Sequence, residues 1–219
     1  MVKPAGKITT QPAPGIEYYE QPVSERMRTF LRLEFLYHPM LKNSEKDDDW
    51  ATRDTISMLL EIQAILLRGD VRSEVLSELD HQISAFERFQ AHSGVDGGRL
   101  GNLMNNLSKT REQISLIGTG FLQPLKDSDF LNAIKHRSAI PGGTCEFDLP
   151  EYSHWLRQPI ARRQQDLTEW IQTVRTLCDG VSEVLWLIRE SAQPTQKKAI
   201  NGMYQHNMQK NGNRRLLRL

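Results

Sequence analysis

Apolar residues recur at helical spacing along most of this chain. The first such segment follows Ser24, a residue type that favours the N-cap of a helix. The apolar face of this predicted helix comprises Met27, Phe30, Leu31 and Phe35. Residues 39–48 are polar and charged, so they predict a loop after this helix.

A second helix is predicted where the chain is most apolar, over residues 56–67. Asp47, Asp48 and Asp49 precede it, and carboxylates favour a helix N-terminus. Its apolar arc is wide, which indicates a helix that is central in the fold or buried at an interface. Gly69 ends it. Further helices follow, the last before Pro141 covering roughly residues 127–138.

The longest periodic segment begins after Pro159. Its apolar residues keep a single helical phase across Gly180, so it predicts one helix, with Gly180 as the position for any bend. Glycine costs about 1 kcal/mol relative to alanine inside a helix. The residues in phase are Leu167, Trp170, Ile171, Val174, Leu177, Val181, Val184, Leu185 and Ile188.

Strands are predicted in shorter pieces, with Asn211-Gly212 as a turn near the end of the chain. They cover residues 16–22, 144–149, 198–205 and 213–219. The predicted fold is α+β, with a predominantly helical domain of five or six helices and a small antiparallel β-sheet domain. Residues 1–15 form a flexible lead-in, residues 16–23, 144–149 and 198–219 the β-domain, and residues 24–140 and 150–192 the helical domain.

The sequence predicts a cytosolic protein. Its two cysteines do not make a disulfide framework, and its first 15 residues hold no apolar run of a signal peptide. Glu61 interrupts the most apolar stretch, which is too short to span a bilayer.

No motif of catalysis or metal binding is found. The histidines lack metal-ligand spacing, and Pro141-Gly142-Gly143 lacks the residues of a phosphate-binding loop. Cys145 with His154 lacks a third, orienting group, so a packed strand cysteine is favoured over a nucleophile. The sequence therefore predicts a binding protein without cofactor, metal or small-molecule substrate.

Charge is distributed unevenly, although the net charge is only +1. Residues 197–219 hold six Lys and Arg and no acid. Arg28 and Arg32 are four apart and share a helix face, and Arg68 and Arg72 flank a helix junction. Arginines like these are either solvated, paired internally with acids such as Glu25, Glu34, Asp70 and Glu74, or free to bind an acidic peptide. Nucleic acid is the competing partner.

Several sequence blocks resemble the ZapD family of bacterial Z-ring-associated proteins, in order from about residue 16 to the end. They are SERMRTFLRLEFL (24–36), LLRGDVRSEVLSELD (66–80), SAIPGGTCEFDLP (138–150), HWL (154–156), LIRESA (187–192), NGMYQ (201–205) and LLRL (216–219). The resemblance implies a homodimer that binds the C-terminal tail of FtsZ, the tubulin-like division GTPase. Holding two tails at once, it would cross-link and bundle FtsZ filaments at midcell, without catalysis.

The resemblance also implies a basic tail-binding cleft between the helical and β parts. By position, Arg28, Arg32 and Arg68 are the first candidates for it. The remaining candidates are Arg72, Lys126, Lys135, Arg137, His154 and Arg218. The chain departs from related sequences at Asp129, where arginine occurs, and at Ser153, where histidine occurs. Family members continue past LLRL with further strands, so we expect a truncated chain or a reduced β-domain.

Overall fold

A computed structural model of the 219-residue chain describes residues 18–90, 97–191, 194–205 and 215–219. These residues form eight helices and one two-stranded antiparallel sheet, which confirms a predominantly helical α+β fold. The helices are α1 (Glu25–Ser44), α2 (Asp49–Arg68), α3 (Val71–Gln90), α4 (Gly97–Ser115), α5 (Gln123–Lys126), α6 (Asp129–Ser138), α7 (Pro150–Leu156) and α8 (Ile160–Glu190). The strands are β1 (Glu20–Pro22) and β2 (Leu216–Arg218).

Helix α1 begins as predicted but continues further. The Ser24 hydroxyl accepts a hydrogen bond from the backbone N–H of Met27 at 3.3 Å, so Ser24 is the N-cap. The loop predicted from residue 39 is wrong up to Ser44, because the helix runs through Pro39. Tertiary packing outweighs the cost of this proline, since the buried residues of α1 extend past it. They are Met27, Phe30, Leu33, Leu36, Tyr37 and Met40.

Helix α2 forms an antiparallel hairpin with α1, since only four residues join the two. Asp48 is its N-cap, accepting from the N–H of Ala51 at 2.7 Å. The predicted wide apolar arc is buried within this chain, between α1 and α8. Its fully or nearly fully buried apolar residues are Ile56, Leu59, Leu60, Ile62 and Leu66.

The predicted long helix is confirmed as α8, 31 residues that run uninterrupted through Gly180. A side chain at 180 would overlap the terminal methyl of Ile114 on α4. The glycine therefore lets α4 and α8 approach closely, which offsets its unfavourable helix propensity.

Helix α8 also carries a half-buried carboxyl group. Burial raises the pKa of Glu183, a hydrogen bond from Thr110 lowers it by less, and the charge of Asp179 adds to the rise. A carboxyl group with a raised pKa destabilises the folded state as pH rises from its unfolded pKa through its folded pKa. Replacing Glu183 with glutamine should therefore stabilise the protein at pH 7 and have little effect near pH 4. Thermal unfolding at both pH values measures this, and exposed Glu169→Gln is the control that should change little at either.

The sheet is smaller than predicted. Strands β1 and β2 pair antiparallel, with Gln21 opposite Leu217, so the predicted pieces near residues 16–22 and 213–219 do meet. Residues 198–205 do not form a continuous strand as predicted. Instead, Ile200 and Met203 form an isolated bridge around Asn201-Gly202, both with positive φ, as a type I′ turn requires. The turn predicted at Asn211-Gly212 lies outside the described residues.

The strand predicted over residues 144–149 is wrong. Residues 140–149 form successive tight turns, in which Gly143 N–H donates to the carbonyl of Ile140 at 2.9 Å and Cys145 N–H to that of Gly142 at 3.1 Å. Gly142 has a φ of 73°, which reverses the chain. Because these backbone N–H and carbonyl groups hydrogen-bond within the turns, they are not available to a neighbouring strand.

Candidate functional site

The two-stranded sheet is fixed to the helices by an almost buried arginine. The Arg189 guanidinium, on α8, donates to both carboxylate oxygens of Glu20 on β1, at 2.8 Å each. It also donates to both oxygens of Glu34 on α1, at 2.7 and 2.6 Å. Burial alone would lower the pKa of Arg189, but these two carboxylates raise it overall. One guanidinium thus joins α1, α8 and β1.

A second ionic cluster lies around Glu78 on α3, which is 3% exposed. Its carboxylate forms ion pairs with Arg26 of α1 and with Arg215, directly before β2. Gln82 donates to the same carboxylate at 3.3 Å. The sheet therefore docks on α1, α3 and α8 through charged groups that are largely removed from water.

Beside this junction lie arginines that the fold does not use. Arg32 on α1 and Arg68 at the end of α2 are exposed and have no hydrogen-bond or ion-pair partner within the described residues. Arg28 makes one long contact, 3.5 Å, to the exposed Glu25. We call Arg28, Arg32 and Arg68 the arginine surface.

The α1–α2 hairpin positions this surface. Because the two helices run antiparallel, the first turns of α1 and the last turns of α2 lie at the same end. Arg28 and Arg68 are therefore at the same end of the hairpin, the end at which β1 contacts α1. Phe35, one turn beyond Arg32 on the exposed face, is 77% exposed, although the apolar pattern predicted it to be buried. The surface thus offers cations together with an aromatic ring.

Two other predicted binding residues near this end have internal partners. Arg72 donates to the carbonyls of Ile114 and Ser115, at 3.1 and 2.6 Å, and so caps the C-terminus of α4. Arg218 pairs with Glu20 at 3.3 Å, and its guanidinium lies 3.8 Å from the ring centre of Tyr18. Both arginines therefore stabilise the fold through partners within the chain.

The remaining predicted residues are not brought to this surface. Lys135, Arg137 and His154 lie on α6 and α7, which pack near the first turns of α2, opposite Arg68. Arg137 pairs there with Asp148 at 3.3 Å, and the His154 ring contacts Gln158 at 2.8 Å. Lys126 is exposed on the short helix α5. The predicted set therefore divides into two groups.

The sequence did not reveal the residues that build the junction. Glu20 and Arg189 are 169 positions apart, and Glu78 and Arg26 are 52 apart, so no local spacing connects them. Glu34 is one of the acids that the sequence offers as internal partners for arginine. Arg189 directly follows the apolar Ile188, which is a further weak signal.

Neither a metal-binding cluster nor a membrane-spanning helix occurs among the described residues. No three His, Cys, Asp or Glu side chains there are arranged to hold a metal ion. Cys145 is half-buried and Cys178 buried, and both are free thiols. No described helix is both long and apolar enough to cross a bilayer.

A family model and a similar protein relate this chain to known proteins. A family model described as "ZapD: Cell division protein" matches residues 31–219. The chain is also similar to the cell division protein ZapD of Methylococcus capsulatus (strain Bath). The two are 32% identical over 190 residues, which are 87% of this chain and 74% of that protein. The family-model match includes most of the described helices and the strand β2.

Proposed function

Because the chain belongs to the ZapD family of cell division proteins, we propose that it binds the C-terminal tail of FtsZ through the arginine surface. One observation carries this proposal. Arg26, Arg189, Arg215 and Arg218 at this end are paired with carboxylates, whereas Arg32 and Arg68 have no partner in the described structure. Guanidinium groups that are exposed and unpaired are available for carboxylates of a peptide.

The proposed protein is a non-enzymatic adaptor that acts as a homodimer. Two protomers present two tail sites, so filaments are held by avidity even when each tail binds weakly. This mode of action cross-links and bundles FtsZ filaments. The proposed site of action is the cytoplasm, at the division site at midcell.

Deleting the FtsZ tail tests the proposal directly. The purified protein should co-sediment with FtsZ polymer and should lose this co-sedimentation when the polymer is assembled from tailless FtsZ. Turbidity and electron microscopy of the same samples report bundling. Equal co-sedimentation with full-length and tailless FtsZ would refute tail binding.

Salt dependence provides a second measurement on the same complex. The arginine surface is exposed, so raising ionic strength from 0.05 to about 0.3 M should weaken tail-peptide binding as screening shortens the Debye length. Fluorescence anisotropy of a labelled tail peptide measures this. An affinity that does not change over this range would indicate contacts that are mainly apolar.

The nucleic-acid alternative rests on the basic end of the chain. Two of its arginines, Arg215 and Arg218, are paired with Glu78 and Glu20, so they are not free to neutralise phosphates. A gel-shift assay with duplex and single-stranded DNA at physiological salt distinguishes the two partners, and we expect no shift.

A further inference from the structure

A pocket of about 390 Å³ opens at the end of α2 opposite the arginine surface. Its walls come from the first turns of α2, the last turns of α6, the turns over residues 140–149, and α7. The lining includes Trp50, Arg53, Asp54, Ile134, Thr144 and Tyr152. Along α2, Arg53 and Arg68 are separated by about 22 Å, at 1.5 Å per residue.

Arg53 is the central feature of this pocket. Its guanidinium lies 4.9 Å from the ring centre of Tyr152 and 5.6 Å from that of Trp50. The hydrogen bond that it donates to the Thr144 carbonyl is long, at 3.4 Å. Half-buried Arg53 has no carboxylate within ion-pair distance in the described residues, although it stands between two aromatic rings that hold it in place.

The neighbouring acids explain why Arg53 stays unpaired. Arg163, only 7% exposed, pairs with Asp49 at 2.8 Å and with Asp47 at 3.3 Å. Asp54 follows Arg53 in α2 but makes no ion pair within the described residues. A half-buried guanidinium gains most from a charge-assisted pair with a carboxylate, and no carboxylate of the described residues supplies one here.

Exposed apolar side chains lie on the segments that form this pocket. Trp50 is 73% exposed, and the adjoining turns carry Phe147 at 86% and Ile140 at 50%. Large aromatic residues left in water beside a cationic pocket are characteristic of binding surfaces. The pocket therefore fits a peptide that carries both a carboxylate and an apolar side chain.

We infer that this pocket is a second docking site for the FtsZ tail on the same protomer, an inference that rests on the proposed function. A tail carboxylate binds Arg53, and an apolar tail residue packs against Trp50 and Ile134. Asp54 at the rim repels a second carboxylate, so the pocket takes one acidic side chain at a time. Each protomer then holds two tails, at opposite ends of α2.

Isothermal titration of the full chain with a synthetic FtsZ tail peptide tests the inference. We expect two peptides per protomer.

Arg53→Gln should weaken one site about tenfold or more, because it removes a charge-assisted hydrogen bond. Asp54→Asn should strengthen that site about threefold, because it removes one repulsive charge. Arg157→Gln, at the same end, is the matched control and should change neither site, because Arg157 is exposed and its ion-pair partner among the described residues is the exposed Glu146. Circular dichroism checks that each variant is folded, and exposed Trp50→Ala gives a second variant of the pocket.

The outcomes separate this inference from the proposed function. A single site that survives Arg53→Gln and Trp50→Ala, but is lost in Arg32→Glu/Arg68→Glu, overturns the second site and leaves the proposed function standing. A site that is lost in Arg53→Gln but survives the double reversal supports the pocket and contradicts the arginine surface. No binding at all refutes both.

Discussion

Replacing Arg189 with methionine should lower the free energy of unfolding by about 3 kcal/mol or more. The Arg189 side chain is 11% exposed, and its partners Glu20 and Glu34 are 17% and 15% exposed. Methionine fills similar space but leaves the nearly buried Glu34 without a cation and Glu20 with Arg218 alone, and removing one partner of a buried ion pair is the costly case. Urea unfolding followed by circular dichroism measures the loss.

The loss of stability should come from the carboxylates that lose their partner rather than from the absence of the arginine itself. Adding Glu20→Gln and Glu34→Gln to the Arg189→Met variant should therefore recover most of the stability. Arg157→Met is the control, because Arg157 and Glu146 are 65% and 64% exposed and such pairs contribute at most about 1 kcal/mol. If Arg189→Met cost no more than this control, the junction would not depend on its ion pairs.

The helices were largely predictable because their cause is local. Ser24 and Asp48 cap α1 and α2 by accepting hydrogen bonds from backbone N–H groups three residues further along the chain. Both residue types favour the N-cap position in general. The apolar stripe of α8 is equally local and persists through Gly180. The end of α1 predicted before Pro39 was wrong, because the packing of Tyr37 and Met40 in the core extends the helix past this proline.

The sheet was harder to predict because a strand needs a partner. The segment 144–149 alternates polar and apolar residues, yet its Phe147 is 86% exposed and its backbone bonds are local. Alternation alone does not supply a neighbouring strand. Strands β1 and β2 do pair, across almost 200 residues of chain, and each is only three residues long.

The candidate site was predicted only in part, because it also depends on contacts between residues that are distant in the chain. The spacing of Arg28 and Arg32 indicated a shared helix face, and both are exposed on α1. The sequence does not show which arginines are already occupied, because that depends on contacts such as Arg72 with the end of α4. Arg53 and its pocket were missed altogether, since its aromatic neighbours Trp50 and Tyr152 are 102 positions apart in the chain.

Reversing both free charges of the arginine surface should abolish FtsZ bundling. In the Arg32→Glu/Arg68→Glu variant two cations become anions, so an acidic tail meets repulsion where it had two charge-assisted pairs. Losing two such pairs costs about 3 kcal/mol or more, which is over a hundredfold in affinity. Co-sedimentation with full-length FtsZ and turbidity of the polymer measure the loss.

Stability should not change with this reversal, which distinguishes it from the Arg189 variant. Arg32 and Arg68 are exposed and unpaired within the described structure, and surface substitutions of this kind usually stay within about 0.5 kcal/mol. Exposed Lys109→Glu on α4, which reverses one charge, is the control and should bundle normally, because α4 packs mainly against α3 and α8. A double reversal that unfolds normally and still bundles FtsZ as well as this control would show that the tail does not bind the arginine surface. A loss of bundling at unchanged stability would assign recognition of the tail to this face of the α1–α2 hairpin.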